Sequence, residues 1–482
     1  MNALAHLVLV AFVPLALLLF ACMRARRAML VVLAGGALFL PILTLDLPGP
    51  LSLGKPDAIS YALLLGVILF DGSRLAAIRF SGWDAAFFVA LIAGPMSSIS
   101  SGIGAYDAFA FLLTFTVQVG IPYLMGKMYL SSSEGLRAAL WMFVISGVAY
   151  VPFCLYEVRM SPQLHSMFYG GAQHSFAQTI RGGGYRPMVF MSHGLELSLW
   201  MAAAAVSSFA LWLTGTKRGP GGIPMLLVVG VLAVTLLLCK STGAIVLGAV
   251  AIVALMPGCR RWLVGTLLLA VPVYLGMRLF GGGFVEGVTA DAARLVSDER
   301  GRSLQFRFDN EARLLDGLWE NPWLGAGRRD FGGFKDLETG EAKAVIVDSY
   351  WIISTATQGL LGLFGAIGLI WLPAFRALGW GGGLSAWKSP ERLAVCILLV
   401  VLILDSMVNS FVTVTYVALA GGLSQMSLHD SSRAKVGDGM SAAAGPSKPR
   451  SVGPVATQPR LAANERAPRP VSPLRPRGDT RG

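Results

Sequence analysis

The chain has 482 residues, of which 55% are hydrophobic and 14% are charged, and its formal net charge is +12. A soluble chain of this length would hold about three domains and carry roughly 25% charged residues, so the composition excludes an ordinary soluble protein. The apolar residues stand in long blocks, which is typical of a helical protein with many membrane spans.

A membrane-spanning helix needs about 20 predominantly apolar residues. By that criterion, residues 1–427 are predicted to form an all-α polytopic membrane domain with about 12–13 transmembrane helices. The third predicted span is short, and the last two alternatively form one broken helix. The predicted spans are 4–23, 28–45, 57–71, 82–99, 105–126, 138–157, 187–213, 222–239, 242–258, 262–280, 349–373, 391–408 and 410–427.

The positions of Lys and Arg predict the orientation, because short cytoplasmic loops are enriched in these residues. Basic residues fall on alternate connections, which places the N-terminus in the periplasm and the C-terminus in the cytoplasm. The first apolar run lacks a basic N-terminal region, so we expect a reversed first helix and not a cleaved signal peptide. These basic residues are Arg24, Arg26, Arg27, Arg74, Arg79, Lys127, Arg137, Lys217, Arg218, Arg260, Arg261, Arg376, Lys388 and Arg392.

Two predicted periplasmic segments hold many charges, a first segment at 158–186 and a large, partly helical loop at 281–348. Residues 428–482 are rich in Pro, Ser and Arg and have no periodic apolar face, which predicts a disordered basic cytoplasmic tail. This tail holds half of the net charge. Its charges are not interleaved with aromatic residues, so we expect no nucleic-acid partner.

The five cysteines (Cys22, Cys154, Cys239, Cys259 and Cys396) lie in or beside apolar runs, and no CxxC pair occurs. Their spacing excludes a disulfide framework or a zinc ribbon, and they are expected to be small core residues.

The first periplasmic segment contains candidate phosphate-binding and acid–base residues. Three glycines separate Arg181 from Tyr185 and Arg186, which lets the backbone bend and expose amides. His193 and Glu196 follow with i, i+3 spacing near the end of a span. These polar groups are candidates for function, with a structural His–Glu pair and interfacial arginines as the alternative.

A second cationic position is Lys240, in the tight turn before Gly243 on the same predicted side. The Lys240 side chain is expected either to extend to the membrane interface by snorkelling or to contact an anionic head group.

Residues 304–319 of the large loop have a helical pattern with interspersed charges, among them Arg307 and Arg313. The predicted apolar stripe consists of Leu304, Phe308, Leu315, Leu318 and Trp319. The helix is predicted to stop near Asn321 and Pro322. A solvated amphipathic helix would explain most of these charges. Further along the chain, Gly359, Gly362 and Gly365 predict close helix packing. Asp405 and Asn409 predict a hydrogen-bonded pair or part of a cavity.

These motifs together resemble the O-antigen polymerase and ligase family of membrane glycan transferases. The resemblance rests on Arg307, the turn from Pro322 to Gly327, Phe331, the run Asp348-Ser349-Tyr350, and the glycines at 359 and 362. It covers roughly residues 175–365 by motif and the membrane part by layout. The ligase branch has a histidine where Asp348 stands, so the resemblance favours the exopolysaccharide or O-antigen polymerases. Lys240 occupies a position where many members have arginine.

The resemblance implies a metal-independent glycosyltransferase of the bacterial inner membrane that needs no cofactor. It would join oligosaccharide repeat units linked to undecaprenyl pyrophosphate on the periplasmic side. His193, Asp348 and Arg307 are the expected catalytic residues, and His193 is the first choice as the base. The expected substrate-binding residues are Arg181, Arg186, Lys240, Arg313 and Tyr350. Membrane lipid is an expected partner, and a chain-length regulator and a flippase are further candidates.

Two other function classes stay open. An O-antigen ligase or O-oligosaccharyltransferase would move the glycan to a different acceptor. A transporter of lipid-linked sugar or polysaccharide would be expected to have inverted repeats and broken helices, and the sequence shows neither. A structural membrane protein would not require arginines clustered at one face.

Overall fold

The computed structural model describes residues 1–258, 260–281, 287, 305, 308–312, 314–315, 317–327, 349–379, 387 and 389–425. Most of these residues are helical. The β structure within them comprises two antiparallel pairs of two-residue strands, Leu45–Asp46 with Ser52–Leu53 and Ile180–Arg181 with Gly184–Tyr185. The predicted tail (428–482) lies outside the described residues.

The helices follow the predicted spans in order. They are α1 (Ala3–Cys22), α2 (Ala25–Phe39), α3 (Lys55–Phe70), α4 (Ala85–Ser100), α5 (Ala105–Phe115), α6 (Ile121–Tyr129), α7 (Ser133–Met160), α8 (Leu164–Tyr169), α9 (Gly194–Leu213), α10 (Met225–Leu238), α11 (Thr242–Leu255), α12 (Arg260–Phe280), α13 (Tyr350–Ala377), α14 (Pro390–Ser406) and α15 (414–425). Short 3₁₀ turns lie at Gly72–Ala77, Gly82–Asp84, Phe176–Thr179 and Pro220–Gly222. A π-helical turn, Thr116–Gly120, joins α5 to α6.

Seven helical segments of the described part are long and apolar enough to cross a membrane. They are Ala3–Cys22, Gly82–Ser100, Ala105–Tyr129, Ser133–Met160, Gly194–Leu213, Trp262–Phe280 and Tyr350–Ala377. The Met225–Leu238 and Thr242–Leu255 helices are apolar but shorter. The architecture is therefore that of an all-α polytopic membrane protein, as the sequence predicts.

The α9 helix lies at the centre of the packed helices. Its most apolar 18-residue window is 83% buried, against 22% for α1. It packs against α7, α10, α11 and α14. The run of four alanines at 202–205 is buried, and small side chains of this kind let neighbouring helices approach closely.

Two predicted spans differ most from the helices that the structure has. The span 187–213 starts too early, because α9 begins at Gly194 and residues 187–193 form a buried non-helical segment. The span 28–45 extends too far, because α2 ends at Phe39, two residues before Pro41. Proline disfavours the helical conformation of the residue that precedes it. The last two predicted spans are separate helices, joined by residues 407–413.

The connections gather at two ends of the helix bundle. At the predicted periplasmic end, the amide of Asn2 donates to the Tyr169 carbonyl over 2.9 Å, and the Tyr350 amide donates to the Asn409 carbonyl over 3.1 Å. At the predicted cytoplasmic end, Arg137 pairs with Glu391 over 3.3 Å. Each of these three contacts joins connections that the Lys and Arg pattern assigns to the same side of the membrane.

Candidate functional site

The non-helical segment 187–193 is held by one buried carboxylate. Glu157 accepts hydrogen bonds from the amides of Met188 over 2.8 Å and Val189 over 2.7 Å, and its other oxygen accepts from Leu164 over 3.0 Å. Val189 has a φ of 54°, which is uncommon for a β-branched residue. A strained backbone of this kind persists where surrounding contacts determine it. Glu157 therefore fixes the backbone conformation of the segment that precedes α9.

Lys55 supports the same segment from the first turn of α3. Its Nζ donates to the Phe190 carbonyl over 3.0 Å, and the Phe190 amide donates to the Tyr150 hydroxyl over 3.2 Å. Burial lowers the pKa of Lys55 to about 8, while the charge of Glu196 opposes this shift. In the sequence this lysine is only one cation in a loop, and nothing in its neighbours along the chain signals its contact with Phe190.

Arg186 is a buried cation at the start of this segment. Its side chain is 8% exposed, and one terminal nitrogen donates to the Lys240 carbonyl over 3.0 Å. Its Nε has no hydrogen-bond partner, and no carboxylate in the described part of the chain forms an ion pair with it. Burial lowers the pKa of Arg186, and the charge of Arg181 lowers it further.

The aliphatic part of Arg186 lies against the first residue of α9. A methyl group on Gly194 would come within 2.4 Å of the Arg186 Cδ, so only glycine leaves room for this contact. The Arg186 side chain thus packs beside the N-terminus of α9, and backbone amides and the helix dipole at such a terminus favour an anion.

The β-hairpin at 180–185 brings Arg181 close to Arg186, and the turn between α10 and α11 brings Lys240 close to it. Gly182 and Gly183 form the hairpin turn with φ values of 52° and 69°. Lys240 lies between α10 and α11 with a φ of 50°, and its Nζ donates to the Arg181 carbonyl over 2.9 Å. Arg181, Arg186 and Lys240, predicted from separate motifs, therefore form one cationic cluster.

The His193 side chain caps α9. Its Nδ1 accepts a hydrogen bond from the Leu195 amide over 3.1 Å, so a neutral ring carries its proton on Nε2. The ring centroid lies 5.8 Å from that of Phe411, in a stacked arrangement, and 5.0 Å from that of His174. In this tautomer Nε2 carries the proton and only Nδ1 has a lone pair, so a base role would require Nδ1 to give up its hydrogen bond from the Leu195 amide. The base role stays a prediction.

The predicted pairing partner of His193 also serves the start of α9. Glu196 accepts from the amide of Ser192 over 3.0 Å and from its hydroxyl. Glu196 thereby satisfies backbone donors that precede the helix.

An ion pair that the sequence analysis missed joins α12 to the large loop. Arg278 pairs with Glu311 over 2.5 Å, and Ser349 donates to the second oxygen of the same carboxylate. The Arg278 guanidinium also lies 4.7 Å from the ring centroid of Phe308. A solvated helix was predicted for the loop, and that prediction is wrong for Glu311, which is 4% exposed. An arginine inside a predicted span was the available signal.

The predicted apolar stripe of this loop helix is confirmed only in part. Phe308 and Leu318 are buried, as predicted, and Leu314 joins them. Trp319, which the pattern places in the stripe, is 51% exposed, because the helix ends at Leu318 and Trp319 lies in a turn.

Tyr350 lies next to Ser349, at the first turn of α13. Its amide contacts Asn409, whose side chain donates to the Asp405 carboxylate over 2.9 Å. Asp405 and Asn409 are therefore the predicted hydrogen-bonded pair, within one helix end. Two residues after Asn409, the Phe411 ring stacks on His193. Together with the hydrogen bond from Ser349 to Glu311, these contacts connect the loop helix with the start of α9.

The two glycine motifs of the resemblance meet in a helix break. The α13 helix is interrupted at Gly359, which has φ 64° and ψ −159°. The turn 322–327 docks there. Its Ala326 and Gly327 amides donate to the carbonyls of residues 356 and 357 over 3.0 and 2.9 Å, and the amides of residues 360 and 361 donate back to the turn. The predicted close helix packing is confirmed at Gly365, where a methyl would meet the α4 backbone. At Gly359 the close contact is with the docked turn and not with another helix.

Three predicted site residues, Arg307, Arg313 and Asp348, lie outside the described residues. Among the described residues no group of three or more His, Cys, Asp or Glu side chains is placed to hold a metal ion. The four free cysteines of the described part are buried except Cys22, which is exposed. The expected core placement is therefore confirmed for three of them and is wrong for Cys22, and Cys259 lies outside the described residues.

Comparison with known proteins gives no family model and no curated protein that matches this chain.

Proposed function

We propose that the chain is a membrane glycan polymerase that joins oligosaccharide repeat units linked to undecaprenyl pyrophosphate. The observation that supports this most is the buried Arg186, which has an unpartnered Nε and no paired carboxylate in the described part. Burying an unpaired cation is costly, so such a group points to an anionic ligand. Arg181 and Lys240 add positive charge beside it, which suits a ligand with more than one negative charge.

A pyrophosphate leaving group fits this cluster chemically. When the bond between the sugar and the pyrophosphate breaks, negative charge develops on the leaving oxygen, and a fixed guanidinium stabilises that charge. Arg186 would make this contact at the start of α9, with Arg181 and Lys240 at its side. Arg307 and Arg313 are proposed to add further phosphate contacts from the loop helix, and Tyr350 to contact the substrate nearby.

The acceptor hydroxyl would need a base. His193 is the proposed base, with Asp348 as the second choice, because His193 lies one residue before Gly194, against which Arg186 packs. Nδ1 of His193 is the atom that would take the proton, after its hydrogen bond from the Leu195 amide is broken. This chemistry uses arginines in place of a metal ion, so the proposal requires no cofactor.

The proposal places the cationic cluster at the periplasmic side of a bacterial inner membrane. The N-terminus lies at the same end of the bundle as the cluster, and the tail would be cytoplasmic. The partners would be the lipid-linked glycan and membrane lipid, and in addition a chain-length regulator and a flippase.

An O-antigen ligase or O-oligosaccharyltransferase would use the same cluster and differ in its acceptor. A transporter is less well supported, although a broken helix, its expected feature, is present in α13. In transporters the freed backbone groups of a broken helix bind the cargo. Here the turn 322–327 bonds to those groups, which leaves them occupied within the chain.

The test uses purified protein in lipid vesicles with undecaprenyl pyrophosphate-linked repeat units, and products are separated on a gel. We expect a ladder that survives EDTA. Arg186→Ala should reduce the rate roughly 10²-fold or more, the usual effect of losing one charge-stabilising donor. Arg186→Lys should recover part of it, since lysine keeps the charge but not the planar fork. Arg307→Ala should abolish the ladder.

Arg159→Ala is the matched control, because Arg159 is an exposed arginine in the last turn of α7. This turn lies at the same end of the bundle as Arg186. It should leave the ladder unchanged. A normal ladder from folded Arg186→Ala would contradict the proposal. Transfer of a single glycan to an added lipid or protein acceptor would favour the ligase alternative, and movement of intact substrate across the vesicle would favour transport.

A further inference from the structure

A cavity of about 180 Å³ lies beside the helix break, between α4, α5 and α13. Its walls include Ser97 and Ser98 of α4, Phe111 of α5, and Thr357 and Gln358 of α13. We call it the helix-break cavity. It is separate from the Arg186 cluster in its lining residues, and the function proposed above does not use it.

The docked turn shapes this cavity. The Thr357 carbonyl accepts from the Ser97 hydroxyl over 2.6 Å and from the Gly327 amide over 2.9 Å. Gly327 has a φ of 75° and itself lines the cavity. Gly94 allows Phe111 to approach α4, since a methyl there would come within 2.0 Å of the Phe111 ring.

The lining is mostly apolar with a few polar groups, and it carries no charge among the described residues. Ser98 donates to the Asp107 carboxylate over 2.7 Å, so its hydroxyl oxygen retains accepting capacity. The Gln358 amide has no hydrogen bond to any residue that the structure describes. Gln358 thus presents one carbonyl oxygen and two N–H donors at the cavity wall without an internal partner.

We propose that the helix-break cavity binds one neutral sugar ring of the acceptor glycan. A cavity of about 150 Å³ accommodates a six-membered ring such as benzene, so this volume suits a single pyranose. Gln358 would bond to the hydroxyls, and the Phe111 ring would contact the C–H face of the sugar. The identity of the ligand as an acceptor rests on the proposed polymerase function.

Other ligand classes fit the lining less well. A polyprenyl chain would leave the Gln358 amide without a hydrogen-bond partner, which is unfavourable for a polar group at a cavity wall. A phosphate or uronic acid would find no cation in the described lining. A neutral polyol satisfies the amide and requires no counter-charge.

The first arm of the test measures binding directly, with purified protein in nanodiscs and a panel of neutral methyl hexopyranosides and N-acetylhexosaminides. Saturation-transfer NMR or calorimetry gives the affinity. Gln358→Leu should weaken binding of the recognised glycoside at least 10-fold, and Ile353→Phe should block it by filling the cavity. Gln178→Leu, at an exposed glutamine of the first periplasmic segment, should bind as the unmodified protein does. Gln358→Met serves as a second variant if the leucine variant does not fold.

Several outcomes of this arm would overturn the proposal. They are no binding of any neutral glycoside, equal binding of a substituted cyclohexane, tighter binding of methyl glucuronide, and unchanged binding in folded Gln358→Leu and Gln358→Met.

The second arm separates this proposal from the polymerase proposal. In the transfer assay, Gln358→Leu should raise the KM for the acceptor while binding of undecaprenyl pyrophosphate stays unchanged. If the unmodified protein binds the glycoside but forms no polymer, the polymerase proposal fails and the cavity still binds sugar. If polymer forms and Gln358→Leu changes neither value, the cavity proposal fails alone.

Discussion

His165 shows how one side chain can make the predicted periplasmic end sensitive to pH. Its Nδ1 lies 2.6 Å from the Gly171 carbonyl, and its Nε2 accepts the Ile42 amide over 3.1 Å. The ring is therefore neutral, with the proton on Nδ1. Burial lowers the pKa of His165, and the charge of Lys55 lowers it further, against the opposing effect of the Gly171 hydrogen bond.

A lowered histidine pKa predicts loss of stability in acid. Above about pH 6.5 both folded and unfolded chains hold the neutral ring, so its contacts contribute fully. As the pH falls below 6.5 the unfolded chain binds the proton first, and the contribution is lost down to the lower pKa of the folded state. We expect the melting temperature to fall between pH 7 and pH 5, and to fall less in His165→Gln. His6→Gln, at an exposed histidine, should keep the full pH dependence; equal slopes for all three proteins would contradict this account.

At this scale the sequence predicted a group of neighbouring cations better than it predicted the partners of individual charged side chains. Arg181, Arg186 and Lys240 were chosen from charge and glycine patterns, and they are neighbours in the structure. The partner of Arg278 could not be predicted, because Glu311 lies 33 residues away among other charges of similar spacing. A carboxylate that accepts only backbone amides, such as Glu157, has no sequence signature.

At the scale of elements, the turn 322–327 and the break in α13 depend on each other. The pattern of proline and glycine predicted the turn, and the spaced glycines predicted close packing. Neither pattern predicted that the turn docks into the helix, because the sequence is similarly apolar on both sides of Gly359. The break forms because the docked turn satisfies the backbone groups that a straight helix would satisfy internally.

Gly359→Ala tests this dependence. Alanine does not readily adopt a φ of 64°, and its methyl would lie 2.4 Å from the Trp323 carbonyl carbon. We expect a loss of roughly 2–4 kcal/mol of stability from strain and displaced contacts, measured as a lower melting temperature.

Gly230→Ala is the matched control, since Gly230 lies within α10 and a methyl there meets nothing within 4 Å. It should be neutral or stabilising by up to about 1 kcal/mol, because alanine is the better helix former. If Gly359→Ala behaved like Gly230→Ala, the docked break would not contribute to stability.

The misplaced start of α9 has a different physical origin. Met188, Val189, Phe190 and Met191 are all buried, as residues of an apolar helix would be. Their composition therefore indicates burial but does not distinguish a helix from a non-helical segment. The non-helical conformation is stabilised by Glu157 and Lys55, which lie on other helices and form hydrogen bonds with the backbone of this segment.

At the scale of the whole molecule, the distribution of lysine and arginine predicted the order in which connections alternate. Contacts between distant connections agree with that order, for example Asn2 with residue 169 at one end and Arg137 with Glu391 at the other. Helix neighbours such as α4 and α13 could not be predicted, because their apolar faces are similar to those of many other helices. Small residues decide that contact, with Gly365 against Ala90.

The side of the membrane on which the Arg186 cluster lies decides whether it can meet a periplasmic glycan. Single cysteines introduced into a cysteine-free protein, at exposed Ser175 of the first periplasmic segment and exposed Ser73 of the 3₁₀ turn after α3, would mark the two ends. Ser175→Cys should react with a membrane-impermeant maleimide in spheroplasts, and Ser73→Cys only in inverted vesicles. The reverse pattern would place the arginines in the cytoplasm, where the proposed polymerase could not reach its substrate. Labelling of both residues from the same side would contradict the alternation of connections itself.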